Sequence, residues 1–343
     1  MPEITDSRID PRIRAMLAAM PSPDGQSDAV DWVTMVAEAN SETAKKNRDA
    51  GAAAFEAMDN ETIAPTAGLS ISTETFTSSP DGNSIRVQFI RPDNQEVVPC
   101  VYYIHGGGMM FSSCFQGNYR AWGKIVAAQG VAVAMVDFRN CLSPSSAPEI
   151  VQFPGGLNDC VSGVKWVSAA HAQLGIDPKR IVVAGESGGG NLTLATGMKL
   201  LKDGDIELIR GLYAFCPYIA GYWPHPDCPS SEENNGILLN LHNNRGAMAY
   251  GIEELNKRNP LAWPLFAADN DLKGMPPTII SVNEFDPLRD EGVLFYRRLL
   301  ENGVLASCRQ VMGTMHATEQ VFPALCPNIS RDTAASLAQF CRE

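Results

Sequence analysis

Ile181-Val182-Val183-Ala184-Gly185-Glu186-Ser187-Gly188-Gly189 is the stretch on which the fold turns. Its first four residues are apolar and mostly β-branched, as a buried strand requires. Asn191-Leu192-Thr193-Leu194-Ala195-Thr196-Gly197-Met198 then reads as the start of a helix. Between them Gly185-Glu186-Ser187-Gly188-Gly189 fits Gly-x-Ser-x-Gly, a pattern that says little in isolation and much at a strand-to-helix turn. A turn this tight strains the serine backbone, and glycines on both flanks let neighbouring chain approach without a Cβ in the way. The Ser187 hydroxyl is then expected at the C-terminal edge of a sheet and at a helix N-terminus, where free N–H groups favour negative charge. An ordinary glycine-rich turn is the competing reading, and the surrounding chain decides against it.

Working outward, short apolar runs recur at 101–104, 131–136, 212–215 and 278–282, with a weaker one at 305–312. Helical patterns separate them at 119–129, 156–170, 189–202 and 289–302. This alternation predicts a mostly parallel sheet covered on both faces, an α/β fold. Residues 72–91 read instead as an antiparallel hairpin at the sheet edge. Residues 1–65 read as helical: a short helix over 8–20, stopped by Pro21-Ser22-Pro23-Asp24-Gly25, and a longer stretch from Asp31 to Met58. One segment breaks the rhythm. Residues 217–260 set Tyr218, Tyr222, Trp223 and Tyr250 among prolines and asparagines, and an excursion after a strand is where lids arise.

The chain has 343 residues, 45% of them hydrophobic, enough for one large domain with an accessory lid or for two small domains. Its net charge of −12 and lack of a basic run argue against a nucleic-acid partner. The N-terminus mixes Glu3, Asp6, Arg8 and Asp10 with apolar residues and does not resemble a signal peptide, and no apolar run is long enough to span a bilayer. Nine cysteines, an odd number with no Cys-x-x-Cys pair, fit reduced thiols in a cytoplasm better than a disulfide frame or a zinc site.

His105-Gly106-Gly107-Gly108 follows the apolar run 101–104. Glycines there allow backbone N–H groups to face a substrate oxygen, with Gly107, Gly108 and Gly188 as the expected donors of an oxyanion hole. Each such donor is worth roughly 3–4 kcal/mol in the transition state, because it is aimed before charge develops. His105 is expected to orient this loop and not to act as a base. A serine hydroxyl needs a base to take its proton, and the base needs a carboxylate to hold its tautomer. With a nucleophile on such an elbow, the partners follow in the order acid, then histidine. His225 and His242 fall in the lid-like excursion, leaving His316 as the base. Asp286, just past the run 278–282, is the expected acid, with Glu284 as its competitor.

These pieces together resemble the hormone-sensitive-lipase-like branch of the α/β-hydrolases, bacterial lipase family IV. The matching segments are His105-Gly106-Gly107-Gly108, Asp177-Pro178-Lys179-Arg180-Ile181, the elbow around Ser187, and Pro276-Pro277-Thr278 leading to Asp286-Pro287-Leu288-Arg289-Asp290. The resemblance covers roughly residues 70–343. It implies the α/β-hydrolase fold, an eight-stranded, mostly parallel sheet flanked by helices with a helical cap. The organisation would be N-terminal cap helices over 1–69, the catalytic domain over 70–216 and 261–343, and a cap insertion over 217–260. It also implies hydrolysis of short- to medium-chain acyl or aryl esters through an acyl-enzyme on Ser187, with no metal or organic cofactor and a small-molecule ester as partner. By analogy with the fold, a homodimer is common. Departures from the family pattern are Glu186 and Gly188 in place of Asp and Ala, the sequence Phe138-Arg139-Asn140-Cys141-Leu142-Ser143-Pro144, Trp263 in place of Ser, and Ala317-Thr318 after the histidine.

Met109, Met110, Tyr218, Tyr222 and Trp223 are the candidate pocket walls; the same residues would equally serve to pack the lid. An amidase or deacetylase using the same triad, and a non-catalytic ligand receptor on the same fold, are the rival functions.

Overall fold

Eight strands are arranged by how completely each is buried. A computed structural model describes residues 6–20 and 25–343; Glu3 and the Pro21–Asp24 stop lie outside the described residues. The strands are β1 (Leu69–Thr77), β2 (Ser84–Pro92), β3 (Val98–Ile104), β4 (Ala132–Val136), β5 (Ile176–Glu186), β6 (Gly211–Phe215), β7 (Thr278–Phe285) and β8 (Ala306–Met315). Their order is β1-β2-β4-β3-β5-β6-β7-β8 in one sheet. β1, β2 and β4 pair antiparallel, and every pairing from β4 through β3 to β8 is parallel. The inner strands β3, β4 and β6 are buried at every residue, which is why they read as unbroken apolar runs and not as alternating ones. β1 and β8 form the edges and carry mostly polar or half-exposed residues, so the run at 305–312 is weak in sequence because it borders solvent.

The two faces of the sheet bury separate cores. Tyr102, Ile104, Ala134 and Val183 pack on one side against Leu157, Val164, Leu194 and Phe295 of the helices Gly155–Ala169, Gly188–Asp203 and Arg289–Glu301. Val101, Tyr103, Val133 and Val182 face the other way, against Tyr119 and Trp122 of the helix Gly117–Ala127 and Ala334 and Leu337 of the helix Pro327–Arg342. Successive strand residues therefore serve opposite layers, as the pleat dictates. The helix Pro327–Arg342 has no counterpart in the sequence reading, because its inward stripe is built largely from Ser330, Thr333, Ala334 and Ala338.

At the N-terminal end the 31–58 stretch is not continuous. Trp32–Ala39 and Glu42–Glu56 are separate helices. Asp31 accepts from the Thr34 amide at 2.7 Å and Ser41 from the Ala44 amide at 3.3 Å, so each start carries its own side-chain cap. The excursion after β6 holds the helices Ser230–Glu233 and Arg245–Asn256 within irregular chain. It meets the N-terminal segment through Asn244, whose amide exchanges hydrogen bonds with Ala29 at 2.7 and 3.1 Å, and through the Arg245–Glu38 ion pair at 2.7 Å. All nine cysteines are free, and eight are buried. Among the described residues no helix is long and apolar enough to cross a membrane.

Candidate active site

Ser187 sits between β5 and the helix Gly188–Asp203 at φ 59° and ψ −119°, a left-handed backbone for a residue that carries a Cβ. Its amide donates to the Phe215 carbonyl at 3.0 Å, and its carbonyl accepts from Tyr218 at 3.1 Å, so both sides of the turn are tied to the end of β6. The glycines do the work expected of them. A Cβ at Gly185 would lie 2.4 Å from the Ile104 carbonyl oxygen, and one at Gly189 only 2.0 Å from it. A Cβ at Gly188 would lie 2.7 Å from the Met109 amide nitrogen and 2.8 Å from Gly108. The elbow and the glycine loop are thus in backbone contact, and Gly188 leaves no room for a Cβ between them.

Asp286 follows β7 directly and is fully buried. One carboxylate oxygen accepts from the Leu288 amide at 2.9 Å, and the other lies 2.7 Å from His316 Nδ1. That contact fixes the proton on Nδ1 and leaves Nε2 free to accept one. His316 follows β8 and lines the same cavity as Ser187. Glu284 points elsewhere: its carboxylate accepts from the Gly313 amide at 2.7 Å.

Gly107 and Gly108, at φ 92° and 62°, line the cavity beside Ser187, and a Cβ at Gly107 would overlap the Phe111 carbonyl. His105 lies behind them, fully buried. Its Nδ1 is 2.9 Å from the Gly106 carbonyl, its Nε2 is 3.7 Å from Asp137, and its ring stacks on Phe138 at 4.3 Å. Burial holds its pKa below the ordinary histidine value, so the ring is neutral and donates through Nδ1.

The cavity has a volume of about 360 Å³ and is walled mainly by apolar side chains. Met110 and Tyr218 of the expected set line it, and Phe111 stands beside them. Met109, Tyr222 and Trp223 do not. Met109 is turned inward and buried, at φ 61°. Tyr222 is 38% exposed and lies against His225. Trp223 stacks flat on Tyr218 at 4.4 Å and donates to Glu291 at 2.8 Å, so it backs the wall instead of forming it. Residues the sequence reading passed over fill the gap: Leu238, Leu239 and Leu241 from the excursion, Val321 and Phe322 after His316, and Phe55 from the N-terminal helices. The signal for them was faint, since a few leucines in an Asn-rich loop have no periodicity.

Two family departures find their place here. The amides of Cys141 and Leu142 donate to the Met109 and Met110 carbonyls at 2.9 and 3.1 Å, so the 138–144 stretch buttresses the chain just after the glycines. Trp263 is fully buried edge-on to Tyr218, Trp223 and Tyr250. Glu291 is buried beneath this cluster. It accepts from the Ile219 amide and the Trp223 indole at 2.6 and 2.8 Å, and burial pushes its pKa up to about 8. Among the described residues, the one grouping of metal-ligand type is Cys216, Asp286 and His316, whose donor atoms lie within 4.8 Å of one another.

An eight-stranded sheet with a strained serine on an elbow after β5, and an aspartate and a histidine after β7 and β8, defines a hydrolase of the α/β type. The family model described as alpha/beta hydrolase fold matches residues 101–320, and the chain belongs to that family. It is similar to an arylesterase of Saccharolobus solfataricus, 32% identical over 223 residues, covering 63% of this chain and 67% of that protein. Among solved structures, the esterase Est22 with p-nitrophenol is 61% identical, covers 98% of each chain and superposes with a TM-score of 0.96. Brefeldin A esterase, described as a bacterial homologue of human hormone-sensitive lipase, is 34% identical, covers 99% of this chain and 96% of that one, and gives a TM-score of 0.85.

Proposed function

We propose that this chain hydrolyses carboxylic esters of short to medium acyl or aryl groups, with Ser187 as nucleophile, His316 as general base and Asp286 as its orienting acid. The observation that carries this reading is the shared cavity of Ser187 and His316, with His316 Nδ1 held 2.7 Å from a buried Asp286 carboxylate. In the first half-reaction His316 Nε2 takes the Ser187 proton as the hydroxyl attacks the ester carbonyl. The oxygen that gains charge faces the amides of Gly107, Gly108 and Gly188, which lie at the glycine loop and at a helix N-terminus. The imidazolium then protonates the departing alcohol, leaving an acyl group on Ser187. Water, deprotonated by His316, releases the acid in the second half.

His105 acts on this reading as a brace for the glycine loop, since its ring is neutral, buried and outside the cavity. Residues 217–260 and the N-terminal helices form a cap over the sheet edge, and Leu238, Leu239, Leu241 and Phe55 meet the substrate from that side. A cavity of about 360 Å³ accommodates a small acyl chain or ring, not a long-chain triglyceride. Turnover of p-nitrophenyl esters from acetate to laurate, run beside the matched anilides, tests the proposal. Wild type is expected to cleave the shorter esters far faster than the anilides, and Ser187→Ala to cleave none. Ester turnover that survives in Ser187→Ala, or anilides cleaved in preference, overturns it.

A further inference from the structure

Glu186, the middle residue of the elbow, touches both halves of the proposed oxyanion hole. Rooted beside Ser187, its side chain crosses to the glycine loop. Oε1 accepts from the Gly106 amide at 2.6 Å and from the Tyr119 hydroxyl at 2.7 Å, and Oε2 accepts from the Tyr103 hydroxyl at 2.5 Å. The Tyr119 hydroxyl shares the Gly106 N–H at 3.1 Å. Glu186 is fully buried, as is Tyr103, and Tyr119 is nearly so. Among the described residues no cation joins the network. Burial raises the Glu186 pKa while the three donors oppose the rise. The fit is close enough that a Cβ at Gly106 would lie 2.5 Å from Oε1.

Three consecutive glycines have little conformational preference of their own, so the loop needs an external anchor to hold its N–H groups on target. His105 braces it from behind. Only a group on the elbow can fix the loop relative to the nucleophile. We propose that Glu186 is a positioning residue that sets the spacing between Ser187 and the glycine-loop donors, by reaching the Gly106 amide from the elbow itself. The longer side chain is the reason for glutamate here. An aspartate is one methylene shorter, about 1.5 Å, and would leave the Gly106 amide with the Tyr119 hydroxyl alone.

The inference rests on the proposed role of Ser187, and its test separates reach from charge. Glu186→Gln keeps the reach and removes the charge; Glu186→Asp keeps the charge and removes the reach. Glu186→Asp is expected to lower kcat about 10- to 100-fold with KM moved less than about threefold, the scale of loss for a misplaced catalytic group. Glu186→Gln is expected to lose only about two- to fivefold, because Oε1 still meets Gly106 and Tyr119. A trifluoromethyl ketone, which adds to a serine as a tetrahedral oxyanion, should lose affinity in parallel with kcat. Equal losses in both variants, a milder loss in Glu186→Asp than in Glu186→Gln, or ketone affinity that stays at the wild-type level overturns the inference. If Glu186→Asp does not fold, Tyr119→Phe replaces it. Losing that hydroxyl should cost kcat about three- to tenfold at constant KM, and an unchanged kcat overturns the inference equally. Ser187→Ala runs alongside: turnover that survives there sinks the nucleophile reading, whereas its loss with Glu186→Asp unimpaired sinks only the positioning role.

Discussion

The floor of the cavity and its roof are built from different materials. On the floor, main chain meets main chain: the elbow lies against Gly108 and Met109, and Gly185 and Gly189 lie against the Ile104 carbonyl. Under the roof, side chains make the wall: Leu238, Leu239 and Leu241, all half-buried, project from irregular chain beside Phe55. A surface made of backbone can hardly be altered by substitution, because every side chain added there collides. A surface made of leucines is altered by any change of volume. On the proposed mechanism, the bond-breaking groups thus occupy the half of the cavity that resists substitution, and the groups that would meet the substrate occupy the adjustable half.

Substitutions can break or sharpen this contrast. The largest effect is expected at the floor's buried acid. Asp286→Asn should lower kcat by about 10⁴, since the imidazole loses the acceptor that fixes its tautomer, while Glu284→Gln should leave kcat within about twofold. Reversal of those two results in steady-state ester kinetics would transfer the acid role to Glu284. Next comes Gly188→Ala. Its methyl would lie 2.7–2.8 Å from the glycine loop, so the loop must retreat, and kcat is expected to fall about 10- to 100-fold. An unimpaired Gly188→Ala would show that the floor yields as readily as the roof.

Roof changes should be selective instead. Leu241→Trp is expected to cut kcat/KM for octanoate about tenfold while sparing acetate, read from the chain-length profile of p-nitrophenyl esters. Equal losses across all lengths would place Leu241 outside the acyl path. Smaller still is a pH effect on stability at the buried Glu291, beneath the Tyr218, Trp223 and Trp263 cluster. Glu291 titrates near 8 in the fold against an ordinary value of 4.5. Between those values the folded chain holds a proton that the unfolded chain has released, so this group's contribution to stability falls as pH rises. Glu291→Gln cannot titrate, so its thermal midpoint should gain on wild type from pH 6 to pH 9. A constant difference would mean Glu291 is already charged. Least of all, Ser41→Ala should cost about 1 kcal/mol of stability and leave turnover alone, as loss of an exposed N-cap does.

The same contrast explains what could be read from sequence. The strands β3 to β7 and the elbow were legible because burial on two faces and a tight turn each leave a narrow choice of residues. Ser187, Asp286 and His316 follow from chain order, and the structure brings Asp286 and His316 into contact. The pocket wall was read less well. Met110 and Tyr218 line the cavity, whereas Trp223 supports the wall; the sequence leaves both roles equally open, because an aromatic near a site looks alike in either layer. Leu238, at φ 64°, and its neighbours escaped notice because an irregular loop has no period to betray which side faces inward. The break at Ser41 was missed because helix-forming residues flank it on both sides.

The cysteines carry a last consequence. Eight are buried, and Cys308, on β8 near the sheet edge, is the half-exposed exception. A thiol reagent should therefore find one slow site on the native protein and nine once the chain opens. The molecule thus carries its own tally of unfolding, and a count of labelled sulfurs would separate loss of activity by local damage around the cavity from loss by collapse of the sheet.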